Sequence, residues 1–115
     1  DDLVEGVRLL MDVVPDGPAN RGAAIPGDSL SPVAPYRVVN IGNSDPISLM
    51  DFISEIEAGL GQTAHKNFME MQPGDVPATW ADTELLRALT GYAPKTSLED
   101  GVSAFVAWYR DYYGV

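Results

Sequence analysis

The sequence predicts an α/β fold: a small βαβ unit with short parallel strands, packed by several helices. Three observations predict it. Tyr36-Arg37-Val38-Val39-Asn40-Ile41 is a β-rich run closed by Gly42-Asn43. An amphipathic helix follows, opened by the pair Ser48 and Asp51 and stopped by Gly61. Ala64 to Glu70 then reads as a second short strand. Strand, helix, strand in that order implies a right-handed crossover with the two strands parallel.

Taken in order, the first element is a helix that begins at once, with Leu3, Val7, Leu10, Met11 and Val14 on one face. Residues 15–35 hold five prolines and three glycines, too many breakers for a regular element, and are expected to form a flexible Pro/Gly-rich loop. The helix of the βαβ unit turns Leu49, Ile53, Ile56 and Leu60 inward. Asp82 is expected to cap a short helix carrying Leu85, Leu86 and Leu89, ended by Gly91. Ser97, with Asp100 three residues on, caps the last helix. Its apolar residues Leu98, Val102, Phe105, Val106, Tyr109 and Tyr112, with Trp108 beside them, are expected to be core or an interface.

Composition narrows the function classes. At 115 residues the chain is one domain at most. Its net charge of −10 and seven dispersed basic residues argue against nucleic-acid or anionic-membrane partners, which need clustered Lys and Arg. The absence of cysteine removes thiol chemistry and cysteine-based metal sites. The single histidine, His65, has no second one to complete a metal site. The acidic pairs Asp1-Asp2 and Glu99-Asp100 stand at helix starts, where they favour the dipole, and read as capping groups. Neither a glycine-rich dinucleotide loop nor a Walker loop is present. No catalytic or metal-binding residue is therefore assigned.

The run from Met71 to Asp82 carries the strongest functional signal. Pro73, Gly74 and Pro77 give it a fixed irregular shape, and it follows the carboxyl end of the second expected strand, where ligands of α/β folds collect.

These segments together resemble the C-terminal, substrate-binding domain of extended short-chain dehydrogenase/reductases that act on nucleotide sugars. Asp1-Asp2-Leu3-Val4-Glu5-Gly6 is similar to a helix start of that family, and Tyr36 to Asn43 to one of its strand ends. Gln72-Pro73-Gly74-Asp75-Val76-Pro77-Ala78-Thr79-Trp80-Ala81-Asp82 is close to the run in bacterial UDP-glucuronate 4-epimerases, including those of capsule polysaccharide synthesis. Gly91-Tyr92-x-Pro94 and the closing Gly101-Val102-x-x-Phe105-Val106-x-Trp108-Tyr109 helix match as well.

The resemblance implies a cytoplasmic, NAD-dependent nucleotide-sugar epimerase, a homodimer, of which residues 1–115 are the substrate-binding domain. The catalytic Tyr-x-x-x-Lys pair and the NAD-binding Rossmann half would lie outside this chain, leaving it inactive alone and without bound cofactor. Carried over by position, Leu49 matches an apolar residue that lies against the uridine. Asp75 matches the nucleotide-contacting acid of the Arg-x-Gly-Asp segment in UDP-galactose 4-epimerases. Gln72 stands where those enzymes have the arginine, which exchanges a charge-assisted contact of about 1.5–3 kcal/mol for a neutral donor. A sibling dehydratase or decarboxylase on the same scaffold is the alternative enzyme reading. A free-standing acidic interaction module is the alternative outside enzymes.

Overall fold

A computed structural model describes residues 1–17, 22 and 25–115. It contains four helices in chain order: α1 (Asp2–Leu10), α2 (Leu49–Leu60), α3 (Glu84–Thr90) and α4 (Leu98–Tyr113). No strand forms among the described residues. The expected α/β class and its βαβ unit are therefore wrong for this structure.

The reason lies in what a strand requires. Tyr36–Ile41 does keep an alternation, with Arg37, Val39 and Ile41 half-buried and Tyr36, Val38 and Asn40 exposed. A ladder also needs a neighbouring strand to take the backbone N–H and C=O groups. Here side chains take them locally. The Val38 N–H donates to Ser29 Oγ at 2.9 Å, and the Ser29 hydroxyl donates back to the Val38 carbonyl. In the second run the Ala64 N–H donates to Glu57 Oε1 at 2.7 Å. The two extended runs also belong to different compact units. One comprises residues 1–45 and 80–95, the other residues 46–79 and 96–115.

The first unit packs α1 with α3. Its centre is Leu86, fully buried, with Thr83 beneath the start of α3. The Thr83 and Ser44 hydroxyls share a hydrogen bond of 2.8 Å. Thr83, not Asp82, holds the N-cap position; Asp82 Oδ1 instead accepts from the Glu84 N–H at 2.9 Å. α1 stops at Leu10 rather than reaching Val14, because Pro15 disfavours helix at the residue before it. Asp12 and Val13 tighten the end with i→i−3 bonds to Leu9 and Leu10. The apolar face read from the sequence is largely uncovered, with Leu3, Val7, Met11 and Val14 all exposed. The covered side is that of Gly6, where a Cβ would stand 3.1 Å from Ile41 Cγ2.

Polar ties fasten this unit further. Arg37 grips Asp28 through two bonds of 2.8 and 2.9 Å, both side chains nearly buried. Tyr92 Oη donates to Asp2 Oδ1 at 2.9 Å, and the Lys95 N–H to Asp2 Oδ2 at 3.0 Å. Of the expected flexible loop, residues 18–21, 23 and 24 lie outside the described set.

The second unit is α2 packed on α4. Both start with Ser-Leu-x-Asp, Ser48 to Asp51 and Ser97 to Asp100. In each, the serine Oγ accepts from the aspartate N–H, at 3.1 and 3.0 Å. The helices run side by side in the same direction. Phe52 and Leu98 meet near their starts, Gly59 lies against Val106, and Arg110 donates to the Leu60 carbonyl at 3.0 Å. Val102 and Val106 are the buried pair. Beyond them α4 leaves its rings exposed: Phe105, Trp108, Tyr109, Tyr112 and Tyr113 form a ladder with neighbouring centroids 4.6–6.1 Å apart. Of the residues expected to be core or an interface, Val102 and Val106 are buried and the rings stand exposed.

Candidate functional site

The loop after Glu70 starts from a fixed point. Glu57 on α2 holds Lys66 in an ion pair and accepts the Ala64 N–H, so the chain leaves α2 at a defined place. The Lys66 hydrogen bond, helped by the Ala64 amide, keeps the Glu57 carboxyl below its usual range. From Gln72 to Asp75 the backbone makes a β-turn, with the Asp75 N–H donating to the Gln72 carbonyl at 3.1 Å. Gly74 sits at φ +96°, which the third position of a type II turn demands and which other residues avoid; Pro73 suits the second position. Gln72 and Asp75 are consequently the two ends of one turn, both exposed to solvent. The Gln72 amide reaches back to the Glu70 carbonyl at 3.4 Å.

Just past this turn the chain forms one wall of a cleft of about 860 Å³, enough for a small organic ligand. Val76 and Pro77 come from the loop, Leu49 and Phe52 from the first turn of α2, and Leu98 from the first turn of α4. Ser48 and Thr79 add hydroxyls. No charged side chain lines it. The first-turn acids Asp51, Glu99 and Asp100 already stand at the positive ends of α2 and α4, which reduces what those dipoles offer an anion. The cleft suits an uncharged, partly apolar group with a few hydroxyls to satisfy.

Of the three residues picked from the sequence, Leu49 lines this cleft, and its side chain is 72% exposed, free to meet a ligand. Gln72 and Asp75 do not line it; they sit on the turn that leads into its wall. Phe52 and Leu98 were missed. Phe52 had a signal, since it follows Leu49 by one helical turn and shares its face. Leu98 shares the Ser-Leu-x-Asp start of Leu49, but it is the packing of α4 on α2 that brings it to the cleft. Among the described residues no group of three His, Cys, Asp or Glu side chains is placed to hold a metal ion. No helix is long and apolar enough to cross a membrane.

No protein-family model matches the chain. Individual proteins do. It is 43% identical over 113 residues to Protein CapI of Staphylococcus aureus, a match covering 98% of this chain and 34% of that protein. A probable UDP-glucuronate 4-epimerase of Rhizobium meliloti (strain 1021) is 44% identical over 113 residues, covering 98% of this chain and 33% of its own. UDP-glucuronate 4-epimerase 1 of Arabidopsis thaliana is 38% identical over 119 residues, 99% of this chain against 25% of its own. Among solved structures, UDP-glucuronic acid 4-epimerase from Bacillus cereus, a point mutant complexed with UDP-4-deoxy-4-fluoro-glucuronic acid and NAD, superposes on 98% of this chain. The TM-score is 0.69 at 28% identity, and the match covers 31% of that protein. The chain thus spans about a third of the length of the curated bacterial relatives it matches. Its cleft and turn lie inside a span that is similar, over nearly every residue of this chain, to a quarter to a third of named UDP-glucuronate 4-epimerases.

Proposed function

We propose that this chain is the substrate-holding part of an NAD-dependent nucleotide-sugar 4-epimerase acting on UDP-glucuronate. In such an enzyme C4 of the sugar gives a hydride to NAD and receives it back on the other face. The observation that carries the reading is the match of 98–99% of this chain to part of named UDP-glucuronate 4-epimerases, with Leu49 and the Gln72–Asp75 turn inside the matched span. In this reading the uncharged nucleoside enters the cleft against Leu49. Asp75 accepts hydrogen bonds from the nucleotide, and Gln72 offers its amide to the diphosphate. Gln72 brings no positive charge, so cations elsewhere in the enzyme would neutralise the phosphates.

In this reading the NAD cradle lies outside this chain. The chain's positive-φ glycines close helices (Gly61, Gly91, Gly114) or shape turns (Gly27, Gly74), and none opens a helix as a dinucleotide-binding glycine does. Hydride transfer would therefore fall to residues outside this chain, leaving it the work of gripping and orienting substrate. The uncovered faces of α1 and of the α4 aromatic ladder fit such a division.

The test is direct. The natural protein carrying this chain should convert UDP-glucuronate to its C4 epimer with NAD bound, and loss of that turnover in a correctly folded preparation would overturn the reading. Titration of the isotope-labelled 115-residue chain with NAD should leave its spectrum unchanged. Tight NAD binding by the chain alone would contradict the proposed division of labour.

A further inference from the structure

Leu49 and Leu98 hold equivalent places in two copies of one local device. Each is the first residue of its helix, each follows a serine N-cap, and each precedes by two residues the aspartate whose N–H that serine accepts. The helices run in the same direction, so both starts come to the same end of the pair, and both leucines line the same cleft. Leu98 is the better supported of the two. It is half-buried, and it also lines the apolar groove of about 400 Å³ between α2 and α4. Leu49 is mostly exposed. A half-buried wall has less room to move than one standing in solvent, and a rigid wall is what sets a size limit.

We propose that Leu98 is a specificity-determining residue of the substrate cleft, setting how large a nucleobase it admits. The inference rests on the reading of the cleft as the nucleoside seat. Two features of the lining support it. The cleft has no charged side chain, so it selects by shape and by hydrogen bonds to Ser48 and Thr79 rather than by charge. In apolar pockets, discrimination by a few carbon atoms of wall amounts to roughly tenfold or more. Phe52 lines both the cleft and the groove together with Leu98. Removing the leucine side chain would open the cleft toward that groove, and enlarging it would close the seat.

The experiment uses the natural enzyme carrying this chain, with UDP-glucuronate as substrate and UDP and ADP as competitive inhibitors. Leu98→Ala should raise KM for UDP-glucuronate about tenfold with kcat nearly unchanged. The ratio of the ADP to the UDP inhibition constant should fall, because the larger base now fits. Leu98→Phe should weaken UDP binding and push that ratio the other way. An unchanged ratio in both variants, with KM following only a lowered thermal midpoint, would overturn the assignment and leave Leu98 a packing residue. An unmodified enzyme that neither turns over UDP-glucuronate nor responds to UDP would overturn the cleft reading itself, and the role of Leu98 with it.

Discussion

The two units of this chain are held together in different ways. The α1–α3 unit is fastened by a fully buried leucine and by specific polar ties: Arg37 to Asp28, Tyr92 to Asp2, and Ser44 to Thr83. The α2–α4 unit rests on a narrow apolar seam, Val102 and Val106 against α2. Its loop from Met71 to Thr79 is exposed throughout, with shape supplied by prolines and one glycine. The lesson is that the candidate site sits in the less anchored unit, and its geometry is conformational rather than packed. Such a loop can close on a ligand at little cost, since few contacts must break.

The comparison can be broken most forcefully at Leu86. Leu86→Ala should destabilise the α1–α3 unit by about 2–5 kcal/mol, read from denaturant-dependent amide exchange. Amides of α2 and α4 should be affected less, and equal acceleration in both units would show that they unfold as one. Next in size is Gly42, where a Cβ would lie 2.9 Å from Ala81 Cβ. Gly42→Ala should cost about 1–3 kcal/mol through overpacking. Combining it with Ala81→Gly should recover part of that loss; failure to recover would place the strain elsewhere.

In the other unit the expected effects fall on binding rather than stability. In the natural enzyme, Asp75→Asn should weaken UDP-glucuronate binding about tenfold while the thermal midpoint stays put, because an exposed turn end carries little packing. Gln72→Arg should tighten binding by about as much by adding a charge-assisted contact to the diphosphate. Tightening that survives high salt undiminished would argue against a phosphate as its target.

The smallest effects are in pH, and they act on the two units from opposite sides. Glu57 has a folded pKa held below its unfolded value, first by Lys66 and then by the Ala64 amide. Its contribution is present above the unfolded carboxylate pKa and is lost as pH falls through the folded one. The Ala64 amide should therefore exchange faster in acid, and Glu57→Gln should abolish that dependence. Tyr92 has its pKa raised, chiefly by burial and then by its bond to Asp2. Its contribution is present below the unfolded tyrosine pKa and is lost as pH rises through the higher folded one. Alkaline titration should loosen the contact of α1 with Tyr92, and Tyr92→Phe should remove the effect.

Much of the local structure was legible in the sequence. Ser48, Ser97, Gly61 and Gly91 stand at the helix ends where they were placed, because capping is decided within four residues. The irregular shape of the run after Met71 was legible too, because Pro73 and Gly74 suit the β-turn that forms there. The strands were not. Tyr36–Ile41 and Ala64–Glu70 have strand composition, but pairing depends on a neighbour that local sequence does not specify. The apolar stripe of α1 misled in the same way, since periodicity reports which face could be buried and not whether anything covers it.

By itself, then, the sequence determined the serine-capped starts of α2 and α4, the glycine stops of α2 and α3 and the kinship with nucleotide-sugar enzymes. Each of these is written in short runs of residues whose backbone preferences act locally. Tertiary structure alone decided that the extended runs stay unpaired, that Thr83 rather than Asp82 caps α3, and that Leu98 joins Leu49 at one cleft. Those outcomes depend on segments far apart in the chain, with Leu98 49 residues beyond Leu49. Only the packing of α2 against α4 brings them together.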